Sequence, residues 1–162
     1  MSMLQAKDGH YLPASDAFCN WLAGFTDGEG CFMAKARKDG SWDMSFAFTI
    51  RADEQPALEE IQKYFGGYIY TYHKGINHTV NLRWSSAADC LRIQKLFTKY
   101  PLRAKKKHCF KLWSQLLGAK LIGIKTRDVA DEIKQLKVIK LYQGAQDVST
   151  VPAVSTEADS VL

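Results

Sequence analysis

The sequence predicts an α+β fold, a helix and a β-hairpin used twice and then helices, in the order αββαββα with extra C-terminal helices. Three observations carry this. Apolar residues recur at helical spacing from Phe18 to Phe25 and switch to strict alternation after Gly30. A second switch from helical spacing to alternation follows at Gly66-Gly67. Two turn signals, Asp39-Gly40 and Lys74-Gly75-Ile76-Asn77, each separate a pair of alternating runs. Together these define residues 15–143 as one folded domain, preceded by a polar arm (1–14) and followed by an aperiodic tail (144–162) expected to be disordered.

In chain order, Ser15 or Asp16 caps a first helix running to about Asp27. Phe32, Ala34 and Ala36 then alternate with Met33, Lys35 and Arg37 as a one-sided strand. The return strand puts Met44, Phe46, Phe48 and Ile50 inward and Asp43, Ser45, Ala47, Thr49 and Arg51 outward. Glu54-Gln55-Pro56 starts a helix with Leu58, Ile61 and Phe65 as its buried stripe, ended by the paired glycines. In the second hairpin Ile69 and Thr71 oppose Tyr68, Tyr70 and Tyr72, and Val80, Leu82 and Trp84 oppose Thr79, Asn81 and Arg83. Ser86 to Asp89 reads as a capping box for a helix with Leu91, Leu96 and Phe97 on one side, closed by Pro101. Helices over 105–117 and 126–143 follow, the last capped by Thr126 and carrying Val129, Ile133, Leu136 and Ile139.

A chain of 162 residues with 46% hydrophobic and 24% charged residues can bury a proper core. The net charge of +5 is uneven: the first 143 residues carry 22 bases against 14 acids, a surface that favours polyanions and nucleic acid in particular. Cys19, Cys31, Cys90 and Cys109 lack CxxC or Cys/His ligand spacing and read as buried small hydrophobes of a reducing compartment. No apolar run has the length of a membrane span, so no membrane partner is expected, and residues 1–15 lack the apolar region of a signal peptide, which argues for an intracellular protein.

The most informative stretch is Trp21 to Phe32, WLAGFTDGEGCF. Gly24 and Gly28 share a helix face, where missing side chains let another backbone approach closely. Glu29 falls at the helix C-terminus, where the macrodipole disfavours a carboxylate and a cation would reverse that. The string Leu22-Ala23-Gly24-Phe25-Thr26-Asp27-Gly28-Glu29-Gly30 resembles the signature helix of the LAGLIDADG homing endonucleases, and the helix and hairpin order agrees with that family over about residues 16–143.

The resemblance implies a curved antiparallel sheet lying in the DNA major groove and, with one motif in the chain, a homodimer formed through Leu22, Ala23, Gly24, Asp27 and Gly28. It implies Mg²⁺-dependent cleavage of double-stranded DNA at a long, nearly palindromic site, across the minor groove and with 3′ overhangs. An intron-encoded origin in an organelle, chloroplast or mitochondrion, goes with it. Glu29 matches the metal-binding acid and Gly28 the carbonyl beside it; Ca²⁺ or Mn²⁺ suits the same oxygen ligands. Asp27, the earlier acid, reads as structural. Lys105, in the basic run Arg103 to His108, takes the place of an active-site lysine, with Lys106 and Lys107 as a solvated phosphate clamp. Where relatives carry a water-holding glutamine the alignment places Ala52, flanked by Arg51 and Asp53; either charged neighbour is a candidate substitute, Arg51 lying on the outward face.

For recognition, the outward residues Met33, Lys35, Arg37, Asp43, Ser45, Thr49, Arg51, Tyr70, Tyr72, Thr79, Asn81 and Arg83 face the DNA, Arg and Lys suiting guanine and Asn adenine. An eight-residue strand spans about 26 Å, so two protomers reach on the order of 16 base pairs. His10, His73, His78 and His108 are scattered and read as surface or DNA-contact residues. The alternative is a non-cleaving nucleic-acid-binding protein or RNA maturase on the same fold, favoured by Ala52.

Overall fold

The Ser15 hydroxyl accepts the Phe18 N–H at 3.1 Å and opens α1 (Asp16–Glu29). In this computed structural model, which describes residues 11–145, the helix runs two residues further than expected, so Glu29 is its last residue. Its buried side chains, Cys19, Leu22, Ala23 and Thr26, follow the i, i+3, i+4, i+7 spacing of a helix lying on a core. At its start Asp16 accepts from the Tyr100 hydroxyl and pairs with Lys99, which ties that end to the third helix.

Strand β1 (Gly30–Ala36) leaves α1 directly and pairs antiparallel with β2 (Trp42–Arg51). Gly40, at φ +80°, supplies the left-handed residue that closes this hairpin. A single 3₁₀ turn, Ala52–Glu54, leads to α2 (Gln55–Phe65), which buries Leu58 and Ile61. Strands β3 (Tyr68–Lys74) and β4 (Asn77–Trp84) form the second hairpin around Gly75-Ile76. The sheet order is β1-β2-β4-β3, antiparallel throughout, so the two hairpins meet through β2 and β4 in the middle. Helices α3 (Ala87–Lys99), α4 (Lys106–Leu121) and α5 (Ala130–Ala145) complete the chain.

The inner sheet face carries Phe32, Met44, Phe46, Phe48, Ile50, Val80, Leu82 and Trp84, all buried. Rings of Phe32, Phe46, Trp84 and Phe97 meet at centroid separations of 4.7–6.2 Å, tilted, edge-on or, for Phe46 and Trp84, stacked, which adds specific contact to area burial. Three buried tryptophans find carbonyl partners. Trp84 donates to Phe65 at 2.9 Å, Trp42 to Ile124 at 3.1 Å, and Trp113 to Met33 and Ser45 at 3.2 and 3.1 Å. The helices are thus pinned to one face of the sheet.

Several local expectations are corrected. In α3 the buried stripe is Cys90, Ile93, Leu96 and Phe97, with Leu91 only half-buried. Ser86 caps that helix by accepting the Asp89 N–H, but the Asp89 carboxylate turns to Arg92 instead of closing a capping box. Thr126 does not cap α5: its hydroxyl lies on the carbonyls of Gly40 and Ser41, clamping the first hairpin turn. Helix α5 continues to Ala145, beyond the expected end at Gln143; the rest of the supposed tail, and residues 1–10 of the supposed arm, lie outside the described residues. Within the arm, Tyr11 packs over Gly66 and under the Arg92 guanidinium, 4.3 Å from its ring.

Candidate active site and nucleic-acid interface

The end of α1 presents Glu29 and Gly28 to solvent, both exposed. Directly after them Gly30 turns into β1, and no side chain fits there. A Cβ on Gly30 would stand 2.6 Å from the Thr26 methyl, 2.8 Å from the Thr26 carbonyl and 3.1 Å from the Phe46 ring. The glycine therefore sets the tight helix-to-strand junction that holds Glu29 at the sheet.

Asp27 is half-buried, and its Oδ2 accepts the backbone N–H groups of Arg103 and Ala104 at 2.8 and 3.1 Å. This fastens the segment ahead of α4 to the end of α1. The consequence appears one turn later: Lys106 Nζ donates to the Gly28 carbonyl at 2.6 Å. Burial lowers the Lys106 pKa from the ordinary lysine value, with Cys31 and Glu29 pulling the other way. The half-buried cation beside Glu29 is therefore Lys106. Lys105 stands at the N-terminal boundary of α4 and is exposed, as is Lys107. Lys106, expected as part of a solvated clamp, is thus half-buried and in contact with Gly28, next to the Lys105 expected to serve the site.

A second shift concerns the strand end. Ala52 has left β2 for the 3₁₀ turn. The β1–β2 register ends at Gly30, opposite Phe48, directly after Glu29 closes α1; Thr49 is the β2 residue that follows Phe48. Thr49 is exposed, and its hydroxyl donates to Asn81 Oδ1 at 2.5 Å. Arg51 is 79% exposed and held by Asp53 through Nε and Nη2, at 3.1 and 2.7 Å. Such an open pair contributes little stability and is readily exchanged for a phosphate.

The sheet face turned away from the helices carries the expected recognition residues. Lys35, Arg37, Thr49, Arg51 and Tyr72 are exposed, and Met33, Asp43, Tyr70, Thr79 and Arg83 are half-buried. Ser45 and Asn81 do not reach out. Ser45 is 2% exposed, lying low between longer neighbours while its hydroxyl accepts from Arg83 Nη2 at 3.0 Å; Asn81 is buried and occupied by Thr49. Arg37 is likewise paired, Nε to Asp43 Oδ2 at 2.6 Å. The list omitted Tyr68, which is exposed on the same row and stacks on Tyr70; the alternation of β3 already put it there.

Of the expected interface residues, Leu22 and Ala23 are buried in the protomer's own core and Asp27 is engaged with the α4 segment. What α1 leaves open includes a ridge of Ala17, Trp21, Gly24 and Gly28, and beyond the helix's own neighbouring backbone nothing lies within 4 Å of where a Cβ on either glycine would stand.

The LAGLIDADG endonuclease family model matches residues 22–117, which spans the motif, both hairpins and most of α4. The chain belongs to this family. A curated relative, the probable intron-encoded endonuclease Cox1-I1b of Schizosaccharomyces pombe, is 28% identical over 140 residues. That match takes in 80% of this chain and 36% of the relative, so the chain spans about a third of that protein's length. Among solved LAGLIDADG folds, the homing endonuclease I-TnaI superposes with a TM-score of 0.63 at 20% identity, over 82% of this chain and 99% of that one. I-LtrWI, bound to its target DNA, gives 0.64 at 19% identity over 79% and 45% of the two chains. I-SmaMI, bound to uncleaved DNA in the presence of calcium ions, gives 0.59 at 24% identity over 88% and 53%. These similarities establish the LAGLIDADG fold for the chain. Among its described residues no helix is long and apolar enough to cross a membrane.

Proposed function

We propose that the chain is a site-specific DNA endonuclease acting as a homodimer, with Glu29 of each protomer and a divalent ion at the centre of a double-strand break. The observation that carries this is the exposed Glu29 carboxylate at the α1 terminus, with the Lys106 amine 2.6 Å from the neighbouring Gly28 carbonyl. Family membership and the DNA-bound neighbours support the reading.

The donor set suits a hard cation such as Mg²⁺, for which Ca²⁺ or Mn²⁺ can stand in. Glu29 is an exposed carboxylate, and the Gly28 carbonyl keeps a second lone pair beside its bond to Lys106. Among the described residues no group of three or more His, Cys, Asp or Glu side chains gathers in one place. With Asp27 engaged by the Arg103 and Ala104 N–H groups, Glu29 is the exposed carboxylate one protomer brings to this point, and a second protomer and the phosphate complete the ligands. When bound, the ion neutralises charge on the phosphate and activates water.

The remaining roles fall to this chain's own groups. Lys106 keeps a positive charge next to the scissile phosphate, where negative charge grows as the phosphodiester is attacked. The exposed Thr49 hydroxyl, one residue past the Phe48 that pairs with Gly30, is a candidate to orient a water, a role the sequence offered to Arg51 or Asp53 beside Ala52. Arg51 releases Asp53 to meet a phosphate oxygen. Lys35, Arg37, Tyr70, Tyr72, Thr79 and Arg83 read and position the duplex from the open sheet face, and Lys105 and Lys107 clamp its backbone. The Gly24/Gly28 ridge of α1 joins two protomers. Cuts on the two strands leave 3′ overhangs. The relative's description supports an intron-encoded origin, and its Cox1 name favours the mitochondrion over the chloroplast.

Ala52, the feature favouring a non-cleaving protein or maturase, directly follows the end of β2 in the 3₁₀ turn, and binding without cleavage is the outcome that would favour that reading. Incubation with a randomised library of duplex targets and Mg²⁺, followed by sequencing of cut ends, tests the proposal. Ends converging on one long, nearly symmetric site are expected; binding with no cut or nicked product at any target would overturn it.

A further inference from the structure

We propose that His73 and His78 form a two-imidazole site for a late first-row divalent ion such as Zn²⁺ or Cu²⁺. The site is separate from the Glu29 centre and reads both residues as ligands, where the sequence alone suggested surface or DNA contacts.

The two histidines are directly opposed across the second hairpin, one pair inside the Lys74 and Asn77 closure of its turn. Directly opposed residues bring their Cβ atoms within about 4.5–5.5 Å, which suits two rings converging on one point. They do converge: Nδ1 of His73 lies 2.5 Å from Nδ1 of His78, with ring centroids 4.7 Å apart and planes at 69°. At this distance two neutral imidazoles are compatible when one ring donates and the other accepts.

Strand alternation fixes which way the pair points. His73 falls in the row of Ile69 and Thr71, and His78 in the row of Val80 and Leu82, the side of the sheet that packs on the helices. The residues read as DNA contacts, Tyr70, Tyr72, Thr79 and Arg83, occupy the other side. Yet both histidines are exposed, as are Thr71, Gly75, Ile76 and Asn77 around them at the hairpin tip. The rings are thus open to solvent on the face turned away from the duplex.

Imidazole nitrogen is the ligand type of Zn²⁺, Cu²⁺ and Ni²⁺, whereas Mg²⁺ prefers oxygen. Zinc binds nitrogen at about 2.0–2.1 Å, so a tetrahedral ion between the rings needs the nitrogens about 3.3 Å apart. Side-chain rotation of the exposed rings supplies that opening. The donor ring's proton moves from Nδ1 to Nε2 through water, both Nδ1 lone pairs then face the ion, and no net proton is released. With no third His, Cys, Asp or Glu gathered there among the described residues, water fills the remaining positions. The ion binds exchangeably, follows the order Cu²⁺ over Zn²⁺, and cross-links the tip of the edge strand β3 to β4.

The test is a titration of the full chain with ZnCl₂ in excess Mg²⁺, followed by histidine ring nitrogen NMR and calorimetry, on the wild type and H73Q/H78Q. Circular dichroism without zinc checks that the variant folds. One equivalent of zinc is expected to shift the Nδ1 signals of both histidines, and the variant to lose affinity at least about tenfold, the scale on which even supporting residues of metal sites act. Equal zinc affinity in variant and wild type, or zinc binding without a shift at His73 and His78, would overturn the proposal.

Discussion

Lys106 shows what one side chain does here and what a charge run hides. Four cations in the five residues 103–107 look alike as a string, and only the fold tells them apart. Asp27 holds the N–H groups of Arg103 and Ala104, the chain enters α4 in a tight turn, and Lys106 is the one whose amine reaches the Gly28 carbonyl. Lys106→Met is expected to cut single-turnover DNA cleavage by about 10²-fold or more, the scale of losing one charge-stabilising donor. The same change is expected to raise the melting temperature at pH 7. Burial lowers the Lys106 pKa, so its charge is a stability cost at neutral pH, relieved only as pH rises from the folded value towards that of a free lysine. Lys106→Arg, which keeps its proton, should extend cleavage to higher pH, read from the alkaline limb of the rate profile. Asp27→Ala strips two N–H groups of their acceptor. Chemical denaturation should show a loss of about 1–3 kcal/mol, together with slower cleavage as Lys106 loses its placement.

At the scale of elements, the strands and their turns were legible because period-two alternation and Asp-Gly punctuation are local signals, and the register from Gly30↔Phe48 to Ala36↔Trp42 follows from them. What was not legible depends on neighbours distant in sequence. Alternation put Ser45 outward, yet Arg83 from β4 leans over it. Leu22 and Ala23 belong to the motif string but are spent on the protomer's own core. Thr126 looks like a cap until Gly40 and Ser41, over eighty residues earlier, are beside it. The α1 to β1 junction is the element-scale feature with most functional weight. Gly30 has an ordinary φ of −69°, so its requirement is one of space. Gly30→Ala is expected to destabilise the fold by about 1–3 kcal/mol, since the new methyl meets the Thr26 backbone as well as its side chain. Because the strain falls next to Glu29, cleavage should fall further than occupancy of the folded state does, a comparison made by assaying both below the unfolding transition.

For the molecule as a whole, one sheet face is buried under helices and the other is left open with Lys35, Arg37, Arg51 and Arg83 on or beside it. A +8 excess over the first 143 residues fits that division of labour. If the open face meets phosphates from two protomers, affinity for duplex should fall by about 10³-fold or more between 50 and 200 mM salt, measured by fluorescence anisotropy on a selected target. A salt-independent affinity would remove DNA from the reading. The proposed pairing of two chains was legible only as the glycine spacing of α1, and the exposed ridge of Ala17, Trp21, Gly24 and Gly28 is the surface of that helix on which it would rest. The central claim is that Glu29 from each of two protomers is needed to break both strands. Its most direct test is a differently tagged mixed dimer, one protomer wild type and one Glu29→Gln, acting on a supercoiled plasmid that carries the selected target. Linear product is expected to form at least about 10³-fold more slowly than with the wild-type dimer, leaving nicked circles at most. Linearisation at the wild-type rate would contradict the claim.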